Sequence, residues 1–183
     1  MTDGVALHPR LIVVSGPPGS GKTTLAHRLA RRIGCPAVCR DEIKEGMVHA
    51  HGPGFLPDTR DPLTARTYPL FFACVRLLLD GGVTVVAEAA FQHGRWAAGL
   101  TPLRDLAELR IVRCAAAPDV LLRRRQQRLA EIPTRSAHPD AGWPETDPAW
   151  EAIRLDVPTL DVDTGDGYDP ALEDIVTFAA ART

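Results

Sequence analysis

The sequence predicts an α/β protein built on an open parallel sheet. Short apolar runs alternate with amphipathic segments along the whole chain, which is the pattern of repeated strand–helix units. The first run, Leu-Ile-Val-Val at residues 11–14, is continuously apolar, as expected of a strand buried on both faces of a parallel sheet. The 183 residues are 45% hydrophobic and 24% charged, which suits one globular domain over residues 1–183.

The predicted elements follow one another in regular order. Five strands are expected at residues 10–15, 36–39, 83–87, 109–115 and 159–163. Helices are expected at residues 22–33, 42–49, 63–79, 96–106 (with a break at Pro102), 119–130 and 170–181. Gly34 favours the end of the first helix, and Pro118 favours the start of the fifth. Two segments rich in Gly and Pro, residues 52–62 and 132–148, are interpreted as a functional loop and a mobile flap.

Residues 16–23 fit the phosphate-binding pattern G-x-x-x-x-G-K-[ST] between the first strand and the first helix. In such a loop the backbone N–H groups converge on a phosphate, and the helix N-terminus adds its dipole. Lys22 would add a point charge, and the Thr23 hydroxyl would ligate Mg²⁺. The motif predicts that ATP or GTP is bound with Mg²⁺ by Gly16, Pro17, Gly19, Ser20, Gly21, Lys22 and Thr23.

Two acidic residues stand at the ends of predicted strands, where parallel α/β sheets bind their ligands. Glu88 is a candidate holder of Mg²⁺, and the alternative is an acid that faces solvent. Asp41 is a candidate general base for an attacking hydroxyl. The alternative for Asp41 is a cap on the helix that follows it.

Arginines precede the predicted flap. Arg124 and Arg128 are four residues apart, so a helix places them on one face, where like charges repel each other. A polyphosphate would offset that repulsion, whereas the alternative is a solvated basic face. Arg135 lies inside the flap and would close onto a γ-phosphate, unless it too is only solvated.

Charge and hydropathy argue against several other classes of protein. The net charge of −2 makes nucleic acid an unlikely partner. No apolar run is long enough for a membrane span, and the N-terminus lacks a signal-peptide pattern, so a cytoplasmic location is expected. The four cysteines show neither C-x-x-C spacing nor a histidine at zinc-ligand spacing. Cys74 and Cys114 lie in apolar segments and are interpreted as buried free thiols, and no metal or redox role is expected for any of the four.

With these residues in view, the chain resembles the small P-loop kinases of the adenylate-kinase-like branch, which includes chloramphenicol phosphotransferase. The resemblance rests on residues 16–24, 40–45, 85–91, the Arg124/Arg128 helix and residues 162–164. It implies a three-layer P-loop NTPase fold whose five-stranded parallel sheet has the order 2-3-1-4-5, with a short lid at about residues 131–141. It also implies that Thr24 belongs to the phosphate loop. The nucleotide's base would lie between the helix at residues 123–128 and the turn at residues 162–166, which contains Thr164. Asp41 matches the catalytic base of chloramphenicol phosphotransferase-like enzymes.

The activity that the resemblance implies is transfer of the γ-phosphate of ATP or GTP to a hydroxyl of a small molecule. An antibiotic acceptor, chloramphenicol-like or a nucleoside of the capuramycin type, would make the protein a self-resistance enzyme. The alternatives are a housekeeping nucleoside, nucleotide or sugar kinase, a kinase of nucleic-acid ends or cell-wall sugars, and a nucleotide switch or NTPase acting on a partner protein. Residues 46–66 contain nothing diagnostic of one acceptor, and the sequence leaves the oligomeric state open.

Overall fold

A computed structural model describes residues 8–52, 55, 62–131 and 151–181. Five strands form one sheet in the order β2-β3-β1-β4-β5, and every neighbouring pair is parallel. The predicted fold class and strand order are therefore confirmed. The strands are β1 (Arg10–Ser15), β2 (Ala37–Cys39), β3 (Val85–Glu88), β4 (Glu108–Ala115) and β5 (Thr159–Asp163).

Six α-helices accompany the strands in the described part of the chain. They are α1 (Lys22–Ile33), α2 (Arg40–His51), α3 (Pro62–Asp80), α4 (His93–Leu100), α5 (Pro118–Glu131) and α6 (Leu172–Ala180). The helix predicted at residues 96–106 begins three residues earlier, and a 3₁₀ helix, Thr101–Asp105, replaces its last turns at the expected break. None of the described helices is long and apolar enough to cross a membrane.

Alternate residues of β1 are buried on opposite faces of the sheet, because successive side chains of a strand point to opposite sides. Leu11 and Val13 belong to a core cluster with residues of α3 and α4. Ile12 and Val14 belong to a second cluster with residues of α1 and α6. Helices thus cover both faces of the sheet, as the three-layer prediction requires.

Some predicted features lie outside the described residues. They include Arg135, residues 132–148 of the flap, all of the predicted lid except Glu131, and most of the loop at residues 52–62. The start of β2 also differs by one residue from its prediction, and α6 begins two residues after Pro170.

Candidate active site

The carboxyl ends of three strands meet at one edge of the sheet. Glu88, the last residue of β3, is paired in register with Val14 of β1 on one side and with Cys39 of β2 on the other. The phosphate-binding loop follows β1, and α2 follows β2. Glu88 therefore lies between the phosphate loop and the first turn of α2, where ligands of parallel α/β sheets bind.

The phosphate loop is held closely against the first turns of α5. Gly19 has a φ of +87°, and a Cβ atom built at this position would lie 2.5 Å from the carbonyl oxygen of Leu121. Both the backbone conformation and the close approach require glycine here. The loop ends at Gly21, which is the N-cap of α1, so the N-terminal amides of that helix begin inside the motif.

Lys22 and Thr23 of the phosphate-binding motif form a polar cluster with Glu88, in which Lys22 and Glu88 are buried. The Thr23 hydroxyl donates a hydrogen bond to Glu88 Oε2 at 3.1 Å, and Lys22 Nζ lies 3.8 Å from Glu88 Oε1. Burial raises the pKa of the Glu88 carboxyl, which the Lys22 charge counteracts, while the Asp41 carboxylate raises the pKa further. Glu88 is only 1% exposed, so the interpretation of this residue as a solvent-facing acid is wrong.

The same oxygens fit a magnesium ion. Mg²⁺ prefers hydroxyl, carboxylate and water oxygens, usually with only one or two protein ligands. Thr23 and Glu88 supply two such groups within hydrogen-bond distance of each other. A buried carboxylate is also stabilised by a nearby cation. These two residues would hold the ion, as the sequence predicts.

A cavity of about 600 Å³ opens beside the phosphate loop. Arginines from α1 and α5 line it, and its described lining contains no carboxylate. Such a cavity has a size typical of small-ligand sites, and its charge favours an anion. Its lining residues are Gly19, Gly21, Thr23, Thr24, His27, Arg28, Arg124, Gln127, Arg128, Thr164, Gly167 and Tyr168. Thr24, Arg124, Arg128 and Thr164 thus meet the phosphate loop at one site.

Arg124 connects α5 to the turn after β5. Its Nη2 atom donates to the backbone carbonyls of Thr164 at 2.6 Å and of Gly165 at 3.2 Å. The Thr164 hydroxyl lies within hydrogen-bond distance of the carbonyls of Ser20 and Ala115, and its one proton serves one of them at a time. The alternative interpretation of Arg124 as part of a merely solvated basic face is therefore wrong.

Asp41 is the second residue of α2 and not its cap. The helix begins at Arg40 with Cys39 as N-cap, so the predicted capping role is wrong. The Asp41 carboxylate accepts a hydrogen bond from Arg40 Nη1 at 3.0 Å, and the Asp41 side chain is 28% exposed. The Asp41 carboxylate is one of the charges that raise the pKa of the Glu88 carboxyl.

Two arginines contact the Tyr68 ring, and the sequence did not predict this arrangement. The guanidinium carbons of Arg40 and Arg95 lie 5.3 Å and 5.6 Å from the centre of the Tyr68 ring, which is cation–π distance. Arg95 also donates to the Tyr68 hydroxyl at 3.1 Å. Arg40, Tyr68 and Arg95 belong to α2, α3 and α4. The three side chains meet only when these helices pack together, so sequence spacing does not predict the contact.

All four cysteines are free thiols. Cys114 is buried, as predicted, whereas Cys74 is only half-buried. Burial, more than any other cause, raises the pKa of the Cys39 thiol well above its usual range, and the carboxylates of Glu88 and Glu42 add to this effect. Cys39 Sγ also lies 3.7 Å from His27 Nε2. No local pattern predicts this contact, because twelve residues and a change from helix to strand separate the two positions.

Comparison with solved structures relates this fold to kinases of under 25% sequence identity. A candidate kinase from Chloroflexus aurantiacus has a TM-score of 0.77 and 24% identity, over 93% of this chain and 96% of its own. A gluconokinase from Sinorhizobium meliloti gives 0.55 and 21%, over 94% and 90%. The APS kinase of Mycobacterium tuberculosis, solved with AMPPNP and APS, gives 0.66 and 15%, over 95% and 99%. At these identities the similarity establishes the fold.

Among curated proteins, none matches this chain in sequence. The sequence model of the AAA_33 family, described as an AAA domain, matches residues 11–145. That match includes the phosphate loop, Asp41, Glu88 and the arginines of α5, and it spans more than half of the chain. The protein therefore belongs to the AAA_33 family of AAA domains.

Proposed function

We propose that this protein is a kinase that transfers the γ-phosphoryl group of ATP or GTP to a hydroxyl of a small molecule. The observation that carries the proposal is the cavity beside the phosphate loop, which three arginines line and which has no carboxylate among its described lining residues. Such a cavity suits the polyphosphate of a nucleotide. The acidic strand ends beside it supply the groups that phosphoryl transfer needs.

On the donor side, each group has a separate task. The backbone amides of the loop and Lys22 bind the β- and γ-phosphates, and the α1 dipole adds to their attraction. A bound Mg²⁺ would neutralise phosphate charge, with Thr23 and Glu88 holding it. Arg124 and Arg128 approach from α5, where they neutralise charge that spreads over the transferring group. Arg135 is proposed to add a further positive charge to the same phosphates.

On the acceptor side, Asp41 is proposed as the general base. It accepts the proton of the acceptor hydroxyl while that oxygen attacks the γ-phosphorus. The bond between this phosphorus and the β–γ bridging oxygen breaks, and the nucleoside diphosphate leaves. The position of Asp41 at the start of α2, next to the strand end that carries Glu88, supports this role.

The relatives favour a metabolic acceptor. A further structure of the same fold, with a TM-score of 0.60 and 18% identity, is described as a sugar kinase from Janibacter. Together with the gluconokinase and the APS kinase, it supports the housekeeping alternative better than an antibiotic acceptor. The Arg40 and Arg95 guanidiniums beside Tyr68 favour an acceptor that also carries an anionic group. The nucleotide switch acting on a partner protein stays an untested alternative.

The proposal is tested by incubating the protein with ATP or GTP, Mg²⁺ and a panel of acceptors. The panel contains sugars, sugar acids, nucleosides, chloramphenicol and nucleoside antibiotics, and mass spectrometry detects the phosphate adduct. We expect Lys22→Ala to abolish the adduct without changing the circular dichroism spectrum. Arg31→Ala removes an exposed charge from the same helix and should retain activity. The proposal would be contradicted if Lys22→Ala still phosphorylated an acceptor. It would also be contradicted if the unaltered protein hydrolysed the nucleotide and phosphorylated no acceptor in the panel.

A further inference from the structure

Three potential metal ligands from different elements meet at the carboxyl end of β2, which is an edge strand of the sheet. His27 comes from α1, Cys39 from the end of β2 and Glu42 from the first turn of α2. Their ligand atoms all lie within 4.8 Å of one another, and no other group of three such residues occurs in the described part of the chain. The cluster combines an imidazole nitrogen, a thiol sulfur and a carboxylate oxygen.

The distances between these atoms are close to those of a tetrahedral zinc site. Zn–S and Zn–N bonds of about 2.3 Å and 2.05 Å place the two ligand atoms about 3.6 Å apart at the tetrahedral angle. His27 Nε2 and Cys39 Sγ are 3.7 Å apart. The distance from His27 Nε2 to Glu42 Oε1 is 2.6 Å, shorter than the roughly 3.3 Å of a zinc-bound pair. The Glu42 side chain is 48% exposed, so it can move outward by this difference.

Burial and charge make the position suitable for a cation. Cys39 is only 2% exposed, whereas the side chains of His27 and Glu42 reach solvent. The thiol therefore forms the floor of the cluster, and solvent has access to a fourth position, as in zinc sites with three protein ligands and one water. Cys39 also contacts the Glu88 carboxyl group, so the acidic side chains of Glu42 and Glu88 both lie close to the sulfur.

We propose that His27, Cys39 and Glu42 form a binding site for a transition-metal dication of the zinc type, separate from the magnesium position at Thr23. Sulfur and imidazole ligands select Zn²⁺ over Mg²⁺, which prefers oxygen ligands in octahedral geometry. On binding, the sulfur–hydrogen bond breaks, the sulfur–zinc bond forms, and the proton passes to the buffer. The ion lies beside the nucleotide cavity, because His27 also lines that cavity.

The test is calorimetric titration of the full chain with zinc chloride in an excess of Mg²⁺, which occupies oxygen-only sites. We expect one Zn²⁺ per chain. Cys39→Ser should weaken binding by at least about tenfold, as even outer-shell changes at metal sites do. Cys35→Ser is the matched control, since Cys35 is a half-buried thiol four residues away and outside the cluster. It should bind Zn²⁺ as tightly as the unaltered chain.

A second readout does not depend on the stability of a buried-site variant. With Co²⁺ in place of Zn²⁺, the unaltered chain should show a thiolate-to-metal charge-transfer band. His27→Gln, at a side chain 37% exposed, should weaken Co²⁺ binding by a similar factor. The proposal is overturned if the chain takes up no stoichiometric Zn²⁺, if the Co²⁺ complex lacks the band, or if Cys35→Ser weakens binding as much as Cys39→Ser.

Discussion

Replacing Gly19 by alanine tests how closely the phosphate loop must approach α5. Two costs follow from the structure. A non-glycine residue at a φ of +87° costs about 1–2 kcal/mol in backbone energy. The new Cβ would also lie 2.5 Å from the Leu121 carbonyl oxygen, and overpacking of this kind costs about 1–3 kcal/mol. The free energy of unfolding should therefore fall by about 2–5 kcal/mol.

Gly34 provides a matched control at the end of α1. Its φ is +81°, but nothing lies within 4 Å of the position that its Cβ would occupy. Gly34→Ala should pay only the backbone cost of about 1–2 kcal/mol. The difference between the two variants in urea denaturation then isolates the contact between the loop and α5.

Nucleotide binding separates the two variants further. Because the loop must shift to admit the extra methyl, Gly19→Ala should weaken binding of a fluorescent ADP analogue by at least about tenfold, or about 1.4 kcal/mol. Gly34→Ala should leave that affinity unchanged. If both variants lose the same unfolding free energy, or if Gly34→Ala weakens the nucleotide equally, the proposed contact is not what constrains the loop.

Two further predictions concern the acidic strand ends. Asp41→Asn should lower turnover by about 10²–10⁴-fold with little change in nucleotide affinity, because the general base is lost; Asp80→Asn, at an exposed position of α3, is the control in the same kinetic assay. A large loss of stability with nearly normal turnover would instead assign Asp41 a structural role. Burial raises the pKa of the Glu88 carboxyl, so the folded state binds the carboxyl proton more tightly than the unfolded state does. The free energy of unfolding therefore falls as the pH rises through the raised pKa. Glu88→Gln, measured without nucleotide or Mg²⁺, should therefore melt at a higher temperature than the unaltered chain near pH 8, and the gap should narrow toward about pH 4. If Glu88→Gln is less stable than the unaltered chain at every pH between about 4 and 8, burial is not the main cause of the raised Glu88 pKa.

Local chemistry accounts for the features that were predicted correctly. The open parallel sheet follows from short buried runs that alternate with amphipathic helices. The strand order and the three layers were implied by the resemblance to the small P-loop kinases. The ends of α1 at Lys22 and Ile33 agree with the prediction, because a phosphate loop and a glycine C-cap define them. The observed start of α2 lies two residues before the predicted one, because Cys39, whose side chain makes no capping hydrogen bond, is the N-cap instead of Asp41.

The phosphate loop, the parallel sheet and the acid at each of two strand ends are predictable from the amino-acid sequence. They depend on residue spacing along the chain and on the period at which buried side chains recur in a strand or a helix. Three contacts become visible only in the folded chain: Glu88 is buried against Lys22 and Thr23, Arg124 donates to the turn after β5, and Cys39 lies beside His27 and Glu42. Each of these contacts joins elements distant in sequence, and the register of the strands and the packing of helices on the sheet bring them together.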